Sequence, residues 1–180
     1  MKILVIVDAQ NDFITGSLGS KEAQRVLPNI LEKINNISKT DTVLLTSDTH
    51  YGDYLDTNEG KNLPVKHCII GTDGWDIHPD VIAALGDKYR MCVFKETFGS
   101  KHLEASINQI SMLVMSEIEE IELIGYVLDI CVISNALLLK SYFPEIPIKV
   151  DVSCCAATSP EAFEAAKIIL KSCQIEVVGE

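Results

Sequence analysis

The stretch that most restricts the fold stands at the start of the chain: Ile3-Leu4-Val5-Ile6-Val7, an unbroken apolar run that ends on Asp8. A strand with one wet face alternates apolar and polar residues. An unbroken Ile/Leu/Val run is the pattern of a strand buried on both faces, as in a parallel sheet covered by helices. Parallel neighbours cannot be joined by tight turns, so the remaining sequence must supply crossover helices. It does. Further strands are predicted at 41–46, 91–95, 121–124, 146–152 and 174–178. Between them fall helical stretches from Ser20 to about Ser38, from His78 to Leu85, from Ser100 to about Met115, from Asp129 to Tyr142, and from Ser159 to about Cys173. Pro28 predicts a break or late start in the first of these, and Ser20, Ser100 and Ser159 are placed to cap theirs. The alternation predicts an α/β fold of three layers, α/β/α, around a six-stranded, mainly parallel sheet, with one domain covering residues 1–180. Residues 51–75 are the longest irregular segment, and loops of that length in compact domains usually carry function.

Composition narrows the function. The net charge of −11, with no basic cluster, argues against a nucleic-acid partner. The apolar start is too brief for a secretory leader, and no stretch of about 18 apolar residues is present to span a membrane. The six cysteines include no C-x-x-C pair. Without a leader, reduced thiols in a cytoplasmic protein are the expectation.

Three chemically coherent groups are predicted at strand ends. Asp8 follows the first strand and Lys95 ends the third. Cys131 follows the strand 121–124 and the breaker Gly125, in the first turn of the next helix. Parallel strands end on one edge of a sheet, so the three can converge there. A cysteine nucleophile needs a base, which a carboxylate can be, and a nearby ammonium favours both anions. The helix start is expected to lower the thiol pKa below its free value of about 8.5. Each group also has a structural reading: a turn cap for Asp8, a surface lysine, a packed cysteine. A second constellation is Asp48, His50 and His67, with Glu59 between them, whose mixed O and N donors suit Zn, Fe or Mn. His78 and His102 are expected at the surface. No G-x-G-x-x-G, G-x-x-x-x-G-K-[ST] or G-x-S-x-G occurs, so dinucleotide, P-loop and serine-hydrolase roles lack support.

Taken together, Val7 to Phe13, Ser47 to His50, Leu63 to Cys68 with Gly71 to Gly74, Phe94 to Phe98, and Gly125 to Val132 resemble the isochorismatase-like cysteine hydrolases, and within them the nicotinamidases. Five loose motifs in the family's order over nearly the whole chain make a specific signal. The resemblance implies an isochorismatase-like, Rossmann-like fold and a catalytic triad of Cys131, Asp8 and Lys95. It implies an oxyanion hole from the backbone N–H groups of Val127 and Cys131, with a cis peptide between Tyr126 and Val127. It also implies a divalent metal, Zn first and Fe or Mn as alternatives, on Asp48, His50 and His67, with Glu59 as the additional ligand some members carry. Phe13, Leu63 and Tyr126 are expected to line the substrate pocket. Two positions depart from the family pattern: Leu63 stands near where members often place an aromatic, and Leu128 replaces the usual threonine or serine three before the cysteine. The expected activity is conversion of nicotinamide to nicotinate and ammonia through a thioester. The alternatives are hydrolysis of another small amide, carbamoyl compound or isochorismate-like ether, or a member that binds without turnover. The partner is a small-molecule amide, and the chain is expected to form a homo-oligomer.

Overall fold

All six strands form and all are parallel. The structure, a computed structural model, describes the backbone of residues 1–180 and the side chains of all but residues 88–90. The strands are β1 (Lys2–Val7), β2 (Thr42–Asp48), β3 (Tyr89–Lys95), β4 (Glu120–Gly125), β5 (Ile148–Cys155) and β6 (Glu176–Val178). Their order in the sheet is β3-β2-β1-β4-β5-β6. The chain winds outward from β1 in one direction through β2 and β3, and in the other through β4, β5 and β6. The reversal lies between β1 and β4, whose C-terminal ends therefore open a crevice.

The helices are α1 (Asn11–Ile14), α2 (Lys21–Asn35), α3 (Asn58–Asn62), α4 (Pro79–Leu85), α5 (Leu103–Val114), α6 (Ile133–Tyr142) and α7 (Pro160–Ser172). Two apolar cores sandwich the sheet. Ile3, Val5 and Val7 face α5, α6 and α7, while Leu4 and Ile6 face α1, α2 and α4. Alternate residues of β1 thus serve opposite cores, which is why none of its inner positions is polar.

Three local expectations are corrected. Pro28 does not interrupt α2, which runs unbroken from Lys21 to Asn35. Its ring is exposed, and Ala23, Val26, Ile30 and Ile34 bury the opposite stripe, so packing outweighs the lost hydrogen bond. Ser100 does not cap α5, which starts at Leu103 after His102. Residues 51–75 are not structureless. They hold a 3₁₀ turn at Tyr54–Asp56 and α3, which Thr57 caps by accepting from the Gly60 N–H. Among the described residues no helix is long and apolar enough to cross a membrane.

Candidate active site

The crevice at the β1–β4 junction is shaped by close backbone approach. Gly125 ends β4 at φ +120°, and a Cβ there would collide with the Val7 carbonyl oxygen. Only glycine fits. The next peptide, Tyr126–Val127, is cis. The chain then enters a wide π-type turn, Leu128–Val132, that carries Cys131 and runs straight into α6. Turns of this kind recur at functional sites.

Asp8, Lys95 and Cys131 meet in this crevice. The Lys95 ammonium lies 2.7 Å from Asp8 Oδ2 and 3.5 Å from Cys131 Sγ. Asp8 sits in the left-handed region, φ +49°, and its Oδ1 accepts from the Thr46 hydroxyl at 2.7 Å. All three side chains are buried, and Cys131 retains 4% of its surface.

Burial sets the electrostatics. It pushes the Asp8 carboxyl up, against the pull of the Lys95 ammonium and with a further push from Asp48. Burial alone would drive Lys95 down, but Asp8, Cys131 and Asp48 hold it well above its usual range. Burial also drives the Cys131 thiol well above its usual range, opposed by Lys95 and reinforced by Asp8 and Asp48. This overturns the expectation of a lowered thiol pKa. The turn dipole is worth at most about 2 kcal/mol, and it cannot offset removal from water beside two carboxylates. Burial beside two carboxylates therefore favours the thiol over a free thiolate.

Asp48 joins this group to the second constellation. Its Oδ1 lies 3.0 Å from Lys95 Nζ, while its Oδ2 lies 3.0 Å from His50 Nε2 and 3.4 Å from His67 Nε2. Glu59 Oε1 is 3.6 Å from His50 Nε2 and 3.7 Å from His67 Nε2. One ligand atom from each of Asp48, His50, Glu59 and His67 lies within 4.8 Å of the others. His67 Nδ1 is 2.9 Å from the Val65 carbonyl, which fixes Nδ1 as the donor and leaves Nε2 free to coordinate. His50 Nε2 is buried with no hydrogen-bond partner despite the nearby carboxylate. A buried orphan nitrogen facing two carboxylates and a second imidazole fits a divalent cation. Burial works against charge on Asp48, yet His50, His67 and Lys95 hold its carboxyl far below the usual range. Glu59 is pushed up by burial and by Asp48. For His67, Asp48, Val65 and Glu59 outweigh burial and raise the imidazole.

A cleft of about 900 Å³ opens beside His50 and Glu59, lined also by Tyr54, Leu63, Phe98 and Ile130 among others. Leu63 stands in its wall, 37% exposed. Phe13 is almost wholly buried, its ring edge-on to His67 at 5.8 Å. Tyr126 differs from its expected place as a pocket residue. Its side chain is fully buried in the core beneath α2, and its hydroxyl donates to the Ala23 carbonyl at 3.0 Å, so it brings only main chain to the crevice. Val127 precedes the turn that follows the cis peptide, and Cys131 lies within it.

Three residues were not foreseen. Thr46 holds Asp8. Buried Gln10 clamps the Asp48 main chain, accepting from its N–H at 2.7 Å and donating to its carbonyl at 2.8 Å. Asn135, one turn beyond Cys131, bonds the Cys131 carbonyl. A polar side chain on the same face of α6 as buried Ala136 and Leu139 was the signal available for the last.

Comparison with known proteins agrees with this architecture. A family model for the isochorismatase domain matches residues 2–179. A nicotinamidase of Schizosaccharomyces pombe is 26% identical over 212 residues, covering 98% of this chain and 92% of that protein. A nicotinamidase/pyrazinamidase from Bacillus subtilis superposes with a TM-score of 0.82 at 23% identity, covering 98% of each chain. The pyrazinamidase of Pyrococcus horikoshii, solved in complex with zinc, gives 0.76 at 21% identity, covering 99% of each. The two solved structures share the fold of this chain. Extending over nearly its whole length, the domain match means that the chain belongs to the isochorismatase family of hydrolases.

Proposed function

We propose that this chain is a metal-dependent nicotinamidase, hydrolysing nicotinamide to nicotinate and ammonia. One observation carries the reading: a single ammonium, Lys95, touches Asp8, Cys131 and Asp48 together, so a nucleophile–base pair and a ligand cluster share one crevice. The nicotinamidase names among its relatives support the same substrate class.

In this reading Asp8 takes the proton from Cys131 Sγ as the sulfur attacks the amide carbonyl carbon. The resulting oxyanion is received by the N–H groups of Val127 and Cys131; donors of this kind are worth about 3 kcal/mol each in the barrier. Collapse breaks the C–N bond, and Asp8 delivers its proton to the departing nitrogen, releasing ammonia and leaving a thioester. Water then gives a proton to Asp8 and adds to the thioester. The C–S bond breaks, Asp8 returns its proton to sulfur, and the product leaves as the carboxylic acid, which loses its proton to solvent. Lys95 opposes the burial that would otherwise neutralise Asp8. Asp48, His50, His67 and Glu59 would hold a divalent ion, which would supply a Lewis-acid anchor for a ring nitrogen of the substrate.

Ammonia release tests this on nicotinamide, pyrazinamide, a carbamoyl amino acid and a simple aliphatic amide, each with and without chelator. Nicotinamide is expected to be the best substrate, with chelator-sensitive turnover. Cys131→Ala is expected to abolish release with the melting temperature retained. Turnover of the carbamoyl compound alone, or near-wild-type activity of Cys131→Ala, refutes the reading.

A further inference from the structure

The 96–100 loop follows Lys95 directly and forms one wall of the cleft, with Phe98 47% exposed there. It leaves the sheet from β3, an edge strand whose only neighbour is β2, so the sheet restrains it from one side alone. Its other restraint is α6. The loop lies so close that a Cβ on Gly99 would come within 2.6 Å of Leu138 Cδ1 and 3.4 Å of Ser134 Cβ. Between those two residues sits Asn135, fully buried. Its amide nitrogen donates to the Cys131 carbonyl at 2.8 Å and to the Phe98 carbonyl at 3.3 Å, and its Oδ1 accepts from the Ser100 N–H at 2.8 Å. One side chain thus ties the main chain of the sulfur-bearing turn to both flanks of Gly99. The sequence places no aromatic at Leu63, and Phe98 is an exposed aromatic ring lining the same cleft, as is Tyr51.

We propose that Asn135 is a positioning residue that sets the spacing between the Cys131 turn and Phe98, making Phe98 the aromatic wall that selects flat, ring-bearing amides. This deepens the nicotinamidase reading and rests on it for the substrate. The geometric part, a fixed gap between thiol and ring, does not.

Asn135→Thr separates the two tethers. A helical threonine hydroxyl reaches the carbonyl four residues back, so the Cys131 bond survives while both loop bonds are lost. The expected result is a KM for nicotinamide raised about tenfold, with kcat within about threefold of wild type, the signature of lost substrate binding rather than lost chemistry. Phe98→Ala is expected to raise KM similarly and to add little to Asn135→Thr. An unchanged KM in Asn135→Thr, or kcat falling at constant KM, overturns the proposal. Should the wild-type protein turn over no amide, labelling of Cys131 followed at the peptide level decides the geometric part. The rate with N-phenylmaleimide relative to iodoacetamide is expected to fall about fivefold or more in Asn135→Thr, and an unaltered or raised ratio overturns it. If Asn135→Thr does not fold, Asn135→Ser carries the same tests, because its shorter hydroxyl side chain also bonds the carbonyl four residues back and reaches neither loop group.

Discussion

Replacing Lys95 with Met tests the electrostatics on which the site depends. In the native protein the ammonium is almost fully buried between two buried carboxylates, 2.7 Å from Asp8 and 3.0 Å from Asp48. Methionine keeps most of the volume and removes the charge, leaving two acids facing each other out of water. Breaking one buried ion pair from one side costs about 3–5 kcal/mol. For a chain of this size each kcal/mol lowers the midpoint by about 2–4 °C, so a fall of about 6–20 °C is expected near neutral pH. The sign with pH follows from Asp8. Its carboxyl is already pushed up by burial even with Lys95 present, and losing the ammonium pushes it further. A carboxyl whose folded pKa exceeds its unfolded value of about 3.9 binds more protons folded than unfolded. Its stability is fully present below that unfolded value and is lost as pH rises through the folded one, so the deficit of Lys95→Met should shrink toward acid pH. Calorimetry of metal-free protein at several pH values measures this. Adding Asp8→Asn to Lys95→Met removes one of the stranded charges and is expected to regain about 1–3 kcal/mol. A loss below about 1 kcal/mol in the single variant, or a double variant no more stable than Lys95→Met, refutes the reasoning.

Other substitutions probe separate parts of the site. Replacing His50 or His67 with Ala should cut bound metal, measured by elemental analysis after dialysis, by about 10-fold or more; unchanged metal content would remove the ligand assignment. Thr46→Val deletes a hydrogen bond that lowers Asp8. The limb of kcat/KM on which Asp8 must be ionised should therefore move up by about one pH unit, and an unmoved limb would separate Asp8 from the chemistry. Gly125→Ala forces a Cβ against the Val7 carbonyl at positive φ. A loss of about 3 kcal/mol or more in denaturant unfolding is expected, and wild-type stability would contradict the close approach.

How far each feature could be anticipated depended on the distance over which it is decided. Every strand was visible because a run such as Ile3–Val7 states its own burial, and the Gly125 break located the turn carrying Cys131. The start of α5 was misplaced because the Ser100 hydroxyl accepts from the His102 N–H, ahead of the helix, while its own N–H is held by Asn135, 35 residues away. The 51–75 segment looked irregular because its order comes from elsewhere. Asp12 accepts from the Cys68 N–H at 2.8 Å, and the Asn11 side chain donates to the Asp73 carbonyl at 2.7 Å, pinning the returning loop that delivers His67. Such pairings leave no periodic trace.

The sequence by itself determined the layered sheet and the side-chain types waiting at its C-terminal edge, because hydrophobic period and turn residues act over a few neighbours. Only the tertiary structure decided that one ammonium lies between Asp8 and Asp48, that the Cys131 thiol is pushed up rather than down, and that Tyr126 turns into the core. Those outcomes depend on burial and on charges brought together across β1, β2, β3 and the β4–α6 turn, and desolvation belongs to the assembled molecule rather than to any local stretch of chain.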